Sequence, residues 1–455
     1  MKNKKEFAAT TSDTGLGTKD LKRVLGRKDL MSIAVGQIIG AGIMSLTGVA
    51  IGMTGKSVPL SFMVAAIFTI IMAIPVIIIG GTVRMRGGQY TQVAILAGQK
   101  WAGVFMITYI FSNVALAMYA ISFAQYAQSL IPGVPLMPAA VIMMTVFYVL
   151  NLMGVQGAAV VQNSMVVLMA AGLAMFVGFG VGHVQPGILS GPDFMTNGIR
   201  GIMGAGALLA FAAGGATVVI NFGAEAKNPT KDIPIVIIVS TLAVSGLYAF
   251  MSIVAANVLP ISEVANQPLA LVAKAVMPQW AFVFFTVCGA GFALATTLNA
   301  TLAWVTKPVL QAVEDGWFPK FLGAINEKYK TPHVLLTIFY VIGLVPIITG
   351  LSIGAIANAA MLIIQAFNVV LSLALVRLPK ALPEEYLKSK VKVSQPVLKL
   401  ISFGAAACAA YQFYLLWGFS TNVERIYVAA ILVLSVIFGF AMDKKAKMTI
   451  SYEAD

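Results

Sequence analysis

Apolar stretches of bilayer length recur along nearly the whole chain, and this recurrence constrains the fold more than any motif. The runs fall at 29–52, 58–83, 101–130, 136–152, 157–181, 199–225, 231–259, 276–311, 332–350, 353–377, 397–419 and 424–442. Each reaches or approaches the roughly 20 residues that a helix needs to cross about 30 Å of hydrocarbon. Of the 455 residues, 59% are hydrophobic and only 10% are charged. A soluble domain carries roughly 25% charged residues, so the solvent for this apolar surface is a bilayer. Residues 1–28 are polar and basic and lack the short apolar core and small-residue cleavage site of a secretory signal. The first run is long enough to stay in the membrane.

The net charge of +13 would suit nucleic acid if it were clustered. Its distribution is instead a topology signal. With the N-terminus placed in the cytoplasm, 26 of the 30 Lys and Arg fall on the cytoplasmic side; Lys56, Arg200, Lys274 and Arg425 fall outside. A missed or invented span would invert the alternation downstream and blur that ratio. The reading is an all-α integral membrane protein of twelve spans in the cytoplasmic membrane, both termini inside. Membrane lipid is the expected surrounding, nucleic acid is excluded, and no protein partner is evident.

Several function classes lose their footing. Cys288 and Cys408 sit in apolar runs and His183 and His333 at span ends, so neither a disulfide framework nor a His-based metal centre can be built. No His, Asp, Glu or Ser cluster gathers at one depth as a membrane enzyme would need, and catalytic residues are not expected. A channel would want a continuous polar lining, which these spans lack. A non-transporting nutrient sensor on the same fold stays open; the tails hold no long sensory domain.

Two spans carry glycines where a helix is most costly to break. Span 1 reads Gly36-Gln37-Ile38-Ile39-Gly40-Ala41-Gly42-Ile43-Met44, and span 6 reads Phe211-Ala212-Ala213-Gly214-Gly215-Ala216-Thr217. Each Gly costs about 1 kcal/mol of helix propensity against Ala. Gly40 and Gly42 lie about 16–20 Å into span 1 at 1.5 Å per residue, near mid-bilayer. Backbone exposed at that depth must find partners. A broken helix offers free N–H groups with a positive dipole end, suited to a carboxylate, and free carbonyls, suited to an ammonium. An α-amino acid carries both. Spans 1 and 6 also cross in opposite directions, as an inverted five-span repeat requires. The chain then divides into a tail (1–28), a first repeat (29–181), a second repeat (199–377), spans 11 and 12 (397–442) and a C-terminal tail (443–455). Glycine also serves close helix packing, and span 6 holds a second such motif, Gly204-Ala205-Gly206.

With Lys28-Asp29 and Ile39 to Ile43, then Phe211 to Gly215, Asn221-Phe222 and Ala224-Glu225-Ala226-Lys227-Asn228-Pro229, then Glu314 to Lys320 and Lys330-Thr331-Pro332, the chain resembles the amino acid–polyamine–organocation (APC) permeases over about residues 25–380. The resemblance implies the leucine-transporter-type fold, with interrupted helices 1 and 6, and alternating access. It implies a substrate carboxylate on the backbone of Gly40, Ala41 and Gly42, beside Ile43. It implies an amine held by carbonyls near Ile39, Phe211, Ala212 and Gly214, in the stretch that includes Ala213 and Gly215, with Phe211 as an aromatic gate. The side-chain pocket does not transfer, because Ala216 and Thr217 stand where many relatives carry a large or polar residue.

Ionisable groups are absent from the middle of the spans, which favours a neutral zwitterion over a polyamine or an acidic solute. Glu225 and Lys307, at the cytoplasmic ends of spans 6 and 8, are candidates for an inner gate or for plain loop-edge charges. Coupling is open between sodium, a proton and simple exchange. Proton-linked or sodium-independent relatives place a lysine in span 5 after a Gln-Asn pair; here Gln162-Asn163 is followed by Met169. Span 8 holds Ala293-Leu294-Ala295-Thr296-Thr297, similar to sodium-coupled members of the fold. That likeness implies a sodium shell of the Gly36, Ile39 and Ala293 carbonyls with the Thr296 and Thr297 hydroxyls, an all-oxygen set that hard cations favour. The competing reading is that the hydroxyls bond carbonyls one turn back.

Overall fold

The computed structural model describes residues 25–85, 88–154, 159–187, 190–222, 226–389, 391–448 and 452–454. Span 1 is two helices, α1 (Arg27–Ile38) and α2 (Ala41–Thr54), parted at Ile39 and Gly40. Span 2 is α3 (Val58–Gly80). A strand, β1 (Val83–Met85), and the short helix α4 (Gln89–Leu96) precede span 3, which is α5 (Gln99–Ser112) and α6 (Leu116–Leu130) joined by one 3₁₀ turn. Spans 4 and 5 are α7 (Leu136–Leu152) and α8 (Ala159–Gly180). Span 6 is α9 (Gly198–Ala213), which continues from Gly214 to Phe222 as 3₁₀ helix, and span 7 is α10 (Pro229–Asn257). Two short helices, α11 (Ile261–Val264) and α12 (Ala270–Val276), fill the next loop. Span 8 is α13 (Gln279–Phe284), a π-helical segment (Phe285–Gly291) and α14 (Phe292–Glu314). Then come α15 (His333–Ile348) and α16 (Ile353–Ala374), the short α17 (Leu378–Ala381) and α18 (Pro383–Lys388), and finally α19 (Gln395–Phe419) and α20 (Asn422–Met442). The strand β2 (Tyr452–Ala454) pairs antiparallel with β1.

Among the described residues, eight helical runs are long and apolar enough to cross a membrane, and three shorter apolar helices accompany them: Leu136–Leu152, Val167–His183 and His333–Ile348. The expected spans are met nearly end to end. Both interrupted helices fall where the glycines stand, and α4 is the separate segment that the sequence leaves room for before span 3. The π segment of span 8 ends in Gly289-Ala290-Gly291, a pair of glycines spaced like those of span 1.

Helix ends follow local chemistry. Gly55 takes φ +69° to end α2, a left-handed conformation that a side chain disfavours. Ser352 accepts a hydrogen bond from the Ala355 N–H to start α16, and Thr421 does the same for the Glu424 N–H at α20. The centre of the bundle is made by fully buried Leu30, Ile43, Leu209, Tyr248, Leu298 and Leu362, one from each of α1, α2, α9, α10, α14 and α16. Around it α3 packs on α9 and α10, α16 on α19, and α5 on α20. Exposed Ile426, Val433, Leu434 and Ile437 turn α20 outward, as lipid contact requires.

Loop contacts separate into two sets, which define two faces. On one, Leu25 pairs with Ala226, the Lys447 N–H donates to the Asp315 carbonyl at 2.8 Å, and Gln99 Nε2 donates to the Asp443 and Ala446 carbonyls. Tyr90 of α4 donates to Asp315 Oδ2 at 2.7 Å. Burial first, then the Asp315 charge, push the Tyr90 phenol far above its usual range, so it stays a neutral donor. On the other face, the Lys56 N–H donates to Asp193, Asn197 Nδ2 to Met53 and the Asn266 N–H to Gly48. The first is termed the tail face here, since Leu25 and Lys447 both lie on it.

Candidate functional site

The break in span 1 is a loss of helical pairing over two residues. The Ile39 N–H still reaches the Val35 carbonyl at 2.8 Å, the Gly40 N–H folds back onto Ile38, and α2 starts afresh at Ala41. The first N–H groups of α2 therefore lack intrahelical partners, and at the end of α1 the Val35 and Ile38 carbonyls are the ones still paired by the break residues. The Tyr248 hydroxyl, from fully buried Tyr248 on α10, donates to the Ile38 carbonyl at 2.7 Å and so holds the end of α1. Tyr126 does the same for the Met44 carbonyl of α2 at 3.2 Å.

The two breaks meet. α1 packs on the 3₁₀ stretch Gly214–Phe222, and α2 packs on α9. A Cβ on Gly42 would lie 2.6 Å from the Ala212 Cα, and one on Gly215 would lie 2.5 Å from the Gln37 carbonyl oxygen. Those two positions need glycine for backbone approach. Gly204 and Gly206 touch the Phe419 ring and Val64 instead, so the second motif of span 6 is a packing motif. Gly214 has open space around it, and its carbonyl accepts from Thr217 Oγ at 3.0 Å.

At the meeting point lies a cavity of about 400 Å³. Gly40, Gly42, Phe211, Ala212, Gly214 and Gly215 line it. Ile39, Ile43 and Ala213 are buried and off its lining, and Ala41 is the first residue of α2. Phe211 leans on Tyr119, with ring centroids 6.5 Å apart. The cavity continues past Met72, Val76, Phe105 and Tyr109 to Gln89 of α4, toward the tail face. Its polar lining is neutral: Thr69, Thr108, Asn113, Thr301, Gln365, Asn368 and Gln412 are among it, and no Asp, Glu, Lys, Arg or His belongs to it among the described residues.

A second, much smaller cavity of about 20 Å³ sits behind the first, lined by Gly36, Gln37, Met165, Met169, Phe292, Thr296, Thr297 and Ala300. Thr297 and Gln37 line both. Thr296 Oγ donates to the Phe292 carbonyl at 2.7 Å, and Thr297 Oγ donates to Ala293 at 2.7 Å. Each hydroxyl thus spends its proton on the helix and keeps its lone pairs. Of the five oxygens in the implied shell, Gly36, Thr296 and Thr297 come together here. Ile39 and Ala293 do not line the cavity, and the Ala293 carbonyl is engaged by both threonines. Buried Met169 fills the wall where a span 5 lysine would put a fixed charge.

Glu225 lies outside the described residues, and Lys307 is exposed. Among the described residues there is an ion pair that the sequence gives no means of finding. Arg27 Nη2 and Nε both lie 2.8 Å from Oδ1 of buried Asp232, tying the start of α1 to the start of α10.

The amino acid permease family model matches residues 25–440. The branched-chain amino acid permease BcaP of Bacillus subtilis is 29% identical over 362 residues, covering 74% of this chain and 76% of that protein. The methylthioribose transporter of the same species is 27% identical over 415 residues, covering 85% and 87%. The vacuolar cationic amino acid transporter 2 of Arabidopsis thaliana is 28% identical over 338 residues, covering 69% of this chain and 53% of that protein. A glycine-broken pair of helices enclosing a cavity at their breaks, in a chain matched from before α1 almost to the end of α20, is one consistent finding: the chain belongs to the amino acid permease family of the APC superfamily.

Proposed function

We propose that this permease is a secondary active transporter of a small neutral amino acid, working by alternating access in the cytoplasmic membrane with its tail face inside. One observation carries the reading. The cavity at the two breaks is lined by backbone and by neutral side chains, without an ionisable group among its described residues. A cationic or acidic solute held there would leave its extra charge desolvated and unpaired, which costs several kcal/mol. A zwitterion needs only the opposed ends of α2 and α1, where N–H groups meet a carboxylate and carbonyls meet an ammonium. The five-plus-five division of spans 1–10, with spans 11 and 12 appended, fits a site at the interface of two repeats.

Our reading of the coupling ion is sodium, with Gly36, Thr296 and Thr297 as its holders. The fit rests on the small cavity: neutral hydroxyl oxygens with free lone pairs, room for one small ion or water, and methionine in place of a charged side chain. A bound cation would supply positive charge next to Thr297, the side chain shared with the larger cavity.

The test is uptake of labelled neutral amino acids into proteoliposomes, with an inward sodium gradient set against choline and no proton gradient. Accumulation with sodium alone is expected. Equal uptake in both buffers rejects the sodium seat and leaves proton coupling or exchange. Absence of uptake for every neutral amino acid, with uptake of a polyamine or acidic solute, rejects the substrate class; binding without transport makes the protein a sensor.

A further inference from the structure

The broken helices build one side of the large cavity and leave another unexplained. Between α3, α16 and α19 its wall is made of Thr69, Gln365, Asn368 and Gln412. Three carboxamides on two apolar spans are costly at this depth unless each finds partners. They find one another. Asn368 Nδ2 donates to Gln365 Oε1 at 3.1 Å, Gln365 Nε2 donates to Gln412 Oε1 at 3.0 Å, and Gln412 Nε2 lies 3.5 Å from Cys408 Sγ. Each amide nitrogen uses one proton and keeps a second, and the Asn368 Oδ1 is outside the chain of bonds.

Thr69 supplies the independent observation. It is 6% exposed, it lines the cavity, and its Oγ1 has no hydrogen-bond partner. Threonines in this bundle ordinarily return the proton to the carbonyl one turn back, as Thr108, Thr296, Thr297 and Thr301 do. Thr69 does not, and an unpaired buried hydroxyl is destabilising until something meets it. Spans 2 and 11 are in contact at this level, since the neighbouring Phe68 and Tyr411 pack edge to face with centroids 6.5 Å apart. The wall therefore offers a hydroxyl, a carboxamide oxygen and spare amide protons, with no charge.

We propose that Thr69, Gln365, Asn368 and Gln412 form a side-chain subsite that selects a substrate whose side chain is a neutral hydrogen-bonding group, a carboxamide above all. Donor and acceptor lie together on that group, as they do on the wall. This rests on the neutral amino acid reading above and narrows it. A site built around hydrogen bonds rejects an apolar isostere strongly, because its own buried polar groups are then left unpaired.

Glutamine and leucine, of similar bulk, are the discriminating pair. Uptake kinetics of both are measured in proteoliposomes for the wild type, Thr69→Val, Thr69→Ser and Asn368→Leu. The wild type is expected to have the higher kcat/KM for glutamine. Thr69→Val and Asn368→Leu are each expected to lower the glutamine-to-leucine ratio by roughly three- to tenfold, the size of one neutral hydrogen bond. The change should fall on KM, with Thr69→Ser restoring the ratio. A wild type that prefers leucine, or variants that shift both substrates alike, overturns the subsite and leaves the neutral amino acid reading standing. Uptake of neither substrate by the wild type overturns the subsite, and the neutral amino acid reading falls with it only if every other neutral amino acid also fails to enter. Should a variant fail to insert, the wild type decides alone: greater thermal stabilisation by glutamine than by leucine supports the subsite, and the reverse order refutes it.

Discussion

At the scale of single residues, glycine does two different jobs in span 6 and its partner, and the structure separates them. A Cβ at Gly42 meets the backbone of Ala212, which cannot rotate away, whereas a Cβ at Gly204 meets the edge of the Phe419 ring. Gly42→Ala is therefore expected to force α2 from α9 at the breaks and to lower uptake by about tenfold or more, the scale on which small misplacements in a site are felt. Gly204→Ala should instead lower the melting temperature by a few degrees, the effect of about 1 kcal/mol of overpacking, with the substrate KM little changed. Reversal of the two phenotypes would mean that the glycine pairs were assigned to the wrong jobs. The sequence could mark Gly40, Gly42, Gly214 and Gly215 because a glycine at mid-membrane depth is visible one span at a time. It could not mark Tyr248, whose hydroxyl caps the Ile38 carbonyl from 210 positions away. Nor could it mark the amides of Gln365 and Gln412, which read as isolated polar residues until α16 and α19 are packed together.

At the scale of elements, twelve spans were legible because hydropathy and the Lys/Arg distribution are properties of the chain itself; contacts between half-helices are not. The sequence offers Glu225 and Lys307 as a gate because both stand at span ends. Glu225 lies outside the described residues; the described structure anchors α1 to α10 through Arg27 and buried Asp232, 205 positions apart. Beside it, the Lys227 N–H donates to the Leu25 carbonyl at 2.8 Å. This clamp holds the half-helix that flanks the tail-face end of the cavity. Asp232→Asn removes the ion pair while leaving the backbone bond at Leu25, so α1 should loosen without unfolding. The expected outcome is faster labelling of a cysteine placed at Thr301, on the cavity wall, by a membrane-impermeant thiol reagent applied from the tail face. Labelling at the wild-type rate would show that Arg27 and Asp232 do not restrain α1. The exposure of Arg27 bounds the effect, since water and salt weaken a half-exposed pair.

At the scale of the whole molecule, the alternating-access reading proposed above requires that the two faces never be joined, and on the opposite face α2 is covered by a loop. The loop bearing α11 and α12 sits on α2: the Asn266 N–H donates to the Gly48 carbonyl at 2.7 Å, and a Cβ on Gly52 would lie 3.0–3.3 Å from the Asn266 side chain. On the tail side the cavity reaches Gln89. Such an arrangement transports only if α2 and that loop separate to admit solute from the other side, then close again. A covalent link between them tests that requirement directly. Gly52→Cys with Asn266→Cys, made in a chain whose free Cys288 and Cys408 are replaced by serine, puts two thiols at positions where a Cβ on one touches the side chain of the other, as a disulfide needs. Oxidation is expected to cut uptake to roughly a tenth or less, in proportion to the fraction cross-linked, because a closed bond costs far more to break than the few kcal/mol that separate transport states. Reduction should restore uptake, which rules out damage to the fold. Substrate binding from the tail face should survive oxidation, since the cavity, the two breaks and the route past Tyr109 are untouched by the link. If the oxidised protein still transports, α2 and the loop move as one body, and access from that face must open along another seam of the bundle.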